Sequence, residues 1–313
     1  MMNGLVPYRD LFEQKGPLLY FIHGIAWLIS RQSFIGVYCF EIISMTVFLF
    51  YSYRIMRLYA SRSILVLIPF LGLFSCTTNA FYAGDSAEEF CLSFLTMSIW
   101  IILNNLRKGS ELTMKNSLLI GVFSGCIFLI KFSLLGMYLG WYSTYLIHCI
   151  KNKRIGNLAK TTVCIGIGVI LVVIPFTIYF AYNHAVTDWI AVYIGNNVFN
   201  YSVVEGNNGF LNNLLQGVYN FIKHNEIIYY LCLTGLILML FGMKGSDRIN
   251  TGVMLLSEFV LVYIGGRHLF YYSVIMDAFA LFGLIFFYRL FIADLFKKQS
   301  NSRCVYSFTI SLF

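Results

Sequence analysis

Charged side chains and proline are scarce in this sequence. Asp, Glu, Lys and Arg make up 12% of the 313 residues, four residues are proline, and 59% are hydrophobic. Soluble domains carry roughly twice that share of charge, so the composition excludes an ordinary soluble globular protein. Apolar runs of roughly 14 to 22 residues recur between positions 34 and 290, a length that suits helices crossing a bilayer. The expected fold is therefore all-α, a polytopic helical membrane protein.

Paired cysteines and clustered basic residues are lacking as well. The eight cysteines lie mostly inside apolar runs and none has Cys-x-x-Cys spacing, so we interpret them as small buried hydrophobic residues rather than as a disulfide framework or a metal site. The net charge of +8 comes from basic residues dispersed between hydrophobic segments. Such a pattern indicates membrane orientation signals and argues against a nucleic-acid partner.

The distribution of Lys and Arg predicts which loops face the cytoplasm. Of the 22 basic residues, 16 fall in five segments that alternate with loops containing eight of the 14 acidic residues. The positive-inside rule then predicts about nine transmembrane helices in the plasma membrane, with the N-terminus outside and the C-terminus cytoplasmic. The stretch 116–150 has basic loops on both sides, so it must cross twice and turn near Lys131.

Two further segments are expected on the outer face of a single domain that covers 1–313. Residues 1–33 form an outer loop followed by a juxtamembrane helix over 18–30, which is too short to span and is expected to lie at the interface. Residues 184–225 form a second, long outer loop. A charged outer segment at the N-terminus would have to cross the membrane unaided, so we expect a first transmembrane helix to precede this sequence.

Residues 4–20, GLVPYRDLFEQKGPLLY, concentrate charge between two of the four prolines. The charged residues between Pro7 and Pro17 are Arg9, Asp10, Glu13 and Lys15. One interpretation is a solvated segment with Pro17 at the first position of a helix. The other is a functional loop, because the remaining conspicuous polar groups are predicted on the same face.

Those polar groups suggest a site that binds an anion and holds a base. Lys15, Lys131 and Arg267 could bind a phosphate. The acids that could deprotonate an acceptor or bind a metal are Asp10, Glu13, Glu88 and Glu89. The structural alternatives are snorkelling for Lys131, a helix N-terminus for Glu88 and Glu89, and interface anchoring for Arg267 and His268.

The order of these motifs resembles the GT-C superfamily of polytopic glycosyltransferases, in particular the branch of protein O-mannosyltransferases and lipid A aminoarabinose transferases. Lys15-Gly16-Pro17 is similar to the Lys-Pro-Pro or Lys-Gly-Pro that opens a helix in these families. Outer AEEF at 87–90 and the glycine-rich GCIFLIKFSLLG at 125–136 follow in the same order. The resemblance extends over most of the chain.

The resemblance implies a polyprenyl-phosphate sugar donor, inverting transfer at the outer face, and a cell-envelope glycan, lipid or polymer as acceptor. Glu13 would support the loop or a divalent cation, and no other cofactor is implied. The candidate substrate-binding residues are Tyr8, Lys15, Lys131, Arg267 and His268. The candidate catalytic residues are Glu88, Glu89 and Asp10. The family's principal catalytic Asp precedes the part of the pattern found here, so we expect this chain alone to be inactive.

Two other classes remain open. A lipid or solute transporter or flippase is suggested by acids inside the predicted spans, Glu41, Glu258 and Asp277. A polysaccharide polymerase or ligase would also use basic outer-face residues to bind a pyrophosphate-linked lipid.

Overall fold

The computed structural model describes residues 4–200, 209–243 and 245–292, and this part of the chain is helical without β-strands. The α-helices are α1 Pro17–Ile29, α2 Ile35–Tyr59, α3 Ile68–Cys76, α4 Ala87–Lys108, α5 Met114–Lys131, α6 Gly136–Lys151, α7 Ile155–Tyr182, α8 Val186–Trp189, α9 Phe210–His224, α10 Glu226–Ile237, α11 Gly245–Tyr263 and α12 Asp277–Phe287. The basic C-terminal tail, Lys244 and positions 201–208 of the expected outer loop lie outside the described residues.

Five helical stretches are long and apolar enough to cross a membrane: Ile35–Tyr59, Ala87–Lys108, Met114–Leu134, Ile155–Tyr182 and Phe270–Ile292. A sixth arises if the bent pair of α9 and α10 counts as one span. These stretches confirm a helical protein with the features of a multi-pass membrane protein.

Nine spans are not confirmed by length and composition. The short apolar helix Arg62–Cys76 falls below the length of a span, and α6 has 16 residues. Helix α11 is long enough, but Asp247, Arg248 and Glu258 lower its hydropathy. The nine-helix count therefore stays a prediction.

Helix ends segregate as the charge pattern predicts. Arg107 at the end of α4 lies over the Tyr59 ring at the end of α2, 4.6 Å from its centroid, and pairs with Asp247 at the start of α11 at 3.6 Å. Arg289, just beyond α12, donates to the Tyr59 carbonyl at 3.0 Å. The ends predicted to be cytoplasmic thus meet in one place, and Lys131 lies at the other end of the bundle.

Close helix packing depends on residues without side chains. A Cβ atom at Gly121 in α5 would lie 2.2 Å from the Ile165 carbonyl oxygen in α7, and one at Gly168 would lie 2.3 Å from the Leu118 carbonyl oxygen. Small residues let transmembrane helices approach closely, where van der Waals contact drives association. The two glycines therefore place α7 directly against α5.

The expected outer loop 184–225 holds helical segments. Helix α8 continues into a π-helical stretch, Ile190–Asn200, and α9 follows after the residues outside the description. Trp189 and Tyr193 pack in a small core with Phe180 and Tyr8. The sequence predicts a loop here because Asn and Gly interrupt its apolar residues. The structure forms helices instead, because burying one apolar face is enough to stabilise a helix.

Candidate functional site

The Lys15-Gly16-Pro17 segment is anchored on the end of α5. The Gly16 amide donates to the Ile130 carbonyl oxygen at 2.8 Å. A Cβ atom at Gly16 would lie 2.1 Å from the Leu129 carbonyl oxygen, so the contact requires glycine. Pro17 begins α1, where its missing amide hydrogen costs little. This attachment carries Lys15 to the end of the helix that ends with Lys131.

Tyr8 stabilises the same N-terminal loop through a hydrogen bond to Lys15. Its hydroxyl donates to the Lys15 carbonyl oxygen at 2.6 Å, and its ring packs edge-on against Phe180 at 5.5 Å. The side chain is 5% exposed, and burial raises the pKa of the Tyr8 hydroxyl far above its ordinary value, which keeps it a donor. Tyr8, a candidate substrate-binding residue, is placed here as a support for Lys15.

Lys131 forms a buried ion pair with Glu88. The Lys131 ammonium contacts Glu88 Oε1, and the two side chains are 12% and 0% exposed. The same ammonium lies 3.5 Å from the centroid of the Tyr272 ring, a cation–π contact. Glu88 Oε2 has no hydrogen-bond partner in the described part of the chain. The Lys131 charge is thus held inside the end of the bundle.

Lys15, Lys131 and Arg267 line one cavity of about 350 Å³. The ammonium groups of Lys15 and Lys131 lie 5.4 Å and 5.6 Å from the centroid of the same ring, that of Tyr271. Other polar residues along the wall are Gln14, Ser133, Tyr193, Asn197 and Tyr272. No acidic residue of the described chain lines this cavity. Three basic residues from distant parts of the sequence therefore share a pocket large enough for a small anionic group.

Glu89 points away from its neighbour Glu88. The Glu89 amide donates to Ser86 Oγ at 3.3 Å, and the Ser86 amide donates to Glu89 Oε2 at 3.5 Å. These reciprocal bonds form a capping box at the start of α4. Glu89 thus stabilises the helix end, as the structural alternative expects, and Glu88 is directed to Lys131.

His23 joins α1 to the turn that precedes α4. His23 Nε2 lies 2.7 Å from Asp85 Oδ1, and Nδ1 lies 2.8 Å from the Leu19 carbonyl oxygen. With acceptors at both ring nitrogens, the geometry favours the doubly protonated imidazolium, and the bond to Asp85 raises the pKa of His23 above its ordinary value. The Asp85 amide in turn donates to the Glu41 carboxylate. His23 thus contacts the turn before α4, and Lys131 contacts Glu88 in the first turn of α4.

Asp10 and Glu13 have local partners. The Arg9 side chain and the Val6 amide each donate a hydrogen bond to the Asp10 carboxylate at 2.8 Å. These two bonds, the one from Arg9 having the larger effect, lower the pKa of Asp10 to about 2. Glu13 Oε2 accepts from the Tyr20 hydroxyl at 2.6 Å. Among the described residues, no group of three or more His, Cys, Asp or Glu side chains could hold a metal ion. Both acids lie outside the cavity wall.

His268 follows Arg267 but is not among the residues lining the cavity. Its ring stacks on Tyr263 at 5.9 Å, and its carbonyl oxygen accepts from Asn220 Nδ2 at 2.5 Å. The aromatic residues Tyr271 and Tyr272, which sequence reasoning missed, complete the site. Their only signal is their position soon after Arg267, because cation–π contacts leave no spacing pattern.

Comparison with known proteins gives no family: no family model matches this chain, and neither a curated protein nor a solved structure matches it.

Proposed function

We propose that this protein is a membrane glycosyltransferase of the GT-C type, which moves a sugar from a polyprenyl-phosphate donor to a cell-envelope acceptor at the outer face. The observation that carries the proposal is the cavity shared by Lys15, Lys131 and Arg267. The nine-span topology, with the N-terminus outside and the C-terminus cytoplasmic, belongs to the same proposal.

The chemistry of the cavity suits a phosphate carried by a lipid. Lysine binds phosphate as a compact charge and arginine as a bidentate donor. The cavity lies at the ends of apolar helices, where the phosphate of a membrane lipid is found. Exposed Ile264 at its wall offers an apolar edge for the lipid chain.

Transfer would proceed by one displacement. The acceptor hydroxyl attacks the anomeric carbon, the bond from that carbon to the phosphate oxygen breaks, and the bonding pair leaves with the polyprenyl phosphate. The leaving group gains negative charge, which the basic residues of the cavity stabilise. A carboxylate takes the hydroxyl proton. Glu88 is the best placed of the predicted acids, since it contacts a lining residue, Lys131.

Two of the three acids that suggest the transporter alternative, Glu258 and Asp277, make structural contacts. Glu258 accepts the Met137 amide at 2.6 Å, and Asp277 accepts from Asn225 Nδ2 at 3.2 Å. Each bond joins neighbouring segments of the bundle, so these two acids have a structural role.

The test compares Lys15→Ala with Lys223→Ala. Lys223 is exposed on α9 and is not among the residues that line the cavity. Purified protein in nanodiscs is titrated with radiolabelled polyprenyl-phosphate sugar, and release of polyprenyl phosphate is followed with membrane acceptor extract. Loss of one charge-assisted phosphate contact is expected to cost about 2 kcal/mol, roughly 30-fold in affinity. Equal affinity of the two variants would contradict the phosphate site. Binding without turnover would support the phosphate site and agree with the expectation that this chain alone is inactive.

A further inference from the structure

Helix α9 presents three different faces along its length. Leu211, Leu215 and Tyr219 recur every four residues and are 68%, 59% and 62% exposed. Residues four apart lie on one side of a helix, so they form a continuous exposed apolar stripe. We call this set the apolar stripe.

A polar arc adjoins the stripe. Asn212, Gln216 and Lys223 are exposed, and at 100° per residue they lie on the next sector around the helix axis. The remaining sector contains the buried residues of α9, Gly217, Asn220 and Phe221. The helix therefore has separate arcs for protein, for an apolar environment and for water.

The side of α9 that faces the protein contacts the loop that carries Arg267. Asn213 Nδ2 donates to the Ile264 carbonyl oxygen at 3.2 Å, and Asn220 Nδ2 reaches the Leu269 carbonyl oxygen at 3.3 Å. A Cβ atom at Gly217 would lie 2.6 Å from the Tyr263 ring. These contacts fix the position of α9 on the bundle, with the other two arcs directed outward.

The orientation of α9 follows from its junction with α10. The chain bends by 120° between Phe210–His224 and Glu226–Gly242, so the two helix axes make an angle of 60°, the difference from 180°. If α10 runs close to the membrane normal, α9 lies nearer to the membrane plane. The polar arc runs along the whole helix, and the hydrocarbon core offers no hydrogen-bond partner to polar side chains. Helix α9 therefore cannot cross the bilayer while surrounded by lipid.

We propose that α9 is an in-plane membrane helix whose apolar stripe is immersed in the leaflet at the cavity end of the bundle. The apolar stripe contacts the boundary between lipid headgroups and acyl chains, where helices with adjoining apolar and polar arcs bind. A second protein copy fits less well, since the stripe has a polar rim on one side only. Leu214 and Val218, both half-buried, continue it into the bundle. The inference is independent of the proposed function.

The test places a genetically encoded dansyl amino acid at position 215 or, as the matched control, at 216, in the full chain reconstituted in nanodiscs. A label at Ile170, exposed in the middle of α7, marks the bilayer core. At Leu215 we expect blue-shifted emission, quenching by lipids brominated on their upper acyl carbons, and weak quenching by iodide. At Gln216 we expect red-shifted emission and strong quenching by iodide.

Three results would overturn the proposal. Strong iodide quenching at both positions would place the stripe in water. Protection of Leu215 from both quenchers would mean that protein covers it. Quenching at both positions by the deep bromolipids that quench Ile170 would mean that α9 crosses or re-enters the bilayer. Labels at Leu211 and Tyr219 must repeat the pattern of Leu215.

Discussion

Replacing Gly16 by alanine tests directly how the loop that carries Lys15 is attached to α5. In Gly16→Ala, the new Cβ atom would stand 2.1 Å from the Leu129 carbonyl oxygen and must retreat by 0.9 Å to reach 3.0 Å. A retreat of that size stretches the bond from the Gly16 amide to Ile130, now 2.8 Å, beyond hydrogen-bonding range. Overpacking of this kind costs about 1–3 kcal/mol, and the lost hydrogen bond adds about 1 kcal/mol. We expect a destabilisation of about 2–4 kcal/mol.

The assay is thermal unfolding of the purified protein in detergent, with Gly24→Ala as the matched control. Gly24 is a helical glycine of α1 whose missing Cβ would meet no atom within 4 Å, so alanine there should be neutral or stabilise by up to about 1 kcal/mol. Gly16→Ala should lower the melting temperature by on the order of 5 °C relative to that control. It should also weaken anion binding, because the loop that carries Lys15 is displaced. Coincident melting of the two variants would show that the close contact between Gly16 and α5 does not stabilise the fold.

Two further predictions concern the charged groups around the acidic turn. Glu88→Gln leaves the Lys131 charge buried without its partner and should cost about 3–5 kcal/mol, whereas Glu88→Gln with Lys131→Met should recover much of that loss in a double-mutant cycle; additive losses would count against the ion pair. Because the bond to Asp85 raises the pKa of His23 above 6.5 in the fold, its stabilisation is complete below pH 6.5 and is lost as the pH rises through the raised pKa. The measurement is the melting temperature as a function of pH. The fall in melting temperature with rising pH should disappear in Asp85→Asn and remain in His184→Gln, a change at an exposed histidine. An unaltered pH profile in Asp85→Asn would show that another group titrates.

Local features of the site could be predicted from the sequence. Pro17 opens α1, and the turn predicted near Lys131 falls where α5 ends, five residues before α6 begins. Both follow from chain-local chemistry, since proline suits a helix start and an ionisable residue interrupts an apolar run. The sequence predicts one shared face for Lys15, Lys131 and Arg267, and all three line one cavity.

The contacts of the individual acids could not be predicted. Glu88 and Glu89 are adjacent and chemically alike, yet one is directed to Lys131 and the other caps its own helix. The difference arises from the 100° rotation between neighbouring helical residues and from the position of α5. Neither appears in the local sequence.

By itself, the sequence determined an all-helical membrane protein and the segregation of charge between the two ends of the helices, because hydrophobic length and the placement of basic residues are properties of the chain alone. The tertiary structure alone decided how far the helices extend, that segment 210–224 forms a three-faced helix, and which cations meet. Lys15 and Lys131 come together through a single glycine against a carbonyl oxygen of α5, and Arg267 is placed by the loop that α9 holds. Such contacts depend on close approach between segments that are distant in the sequence, 51 residues apart for Asn213 and Ile264, which no local pattern encodes.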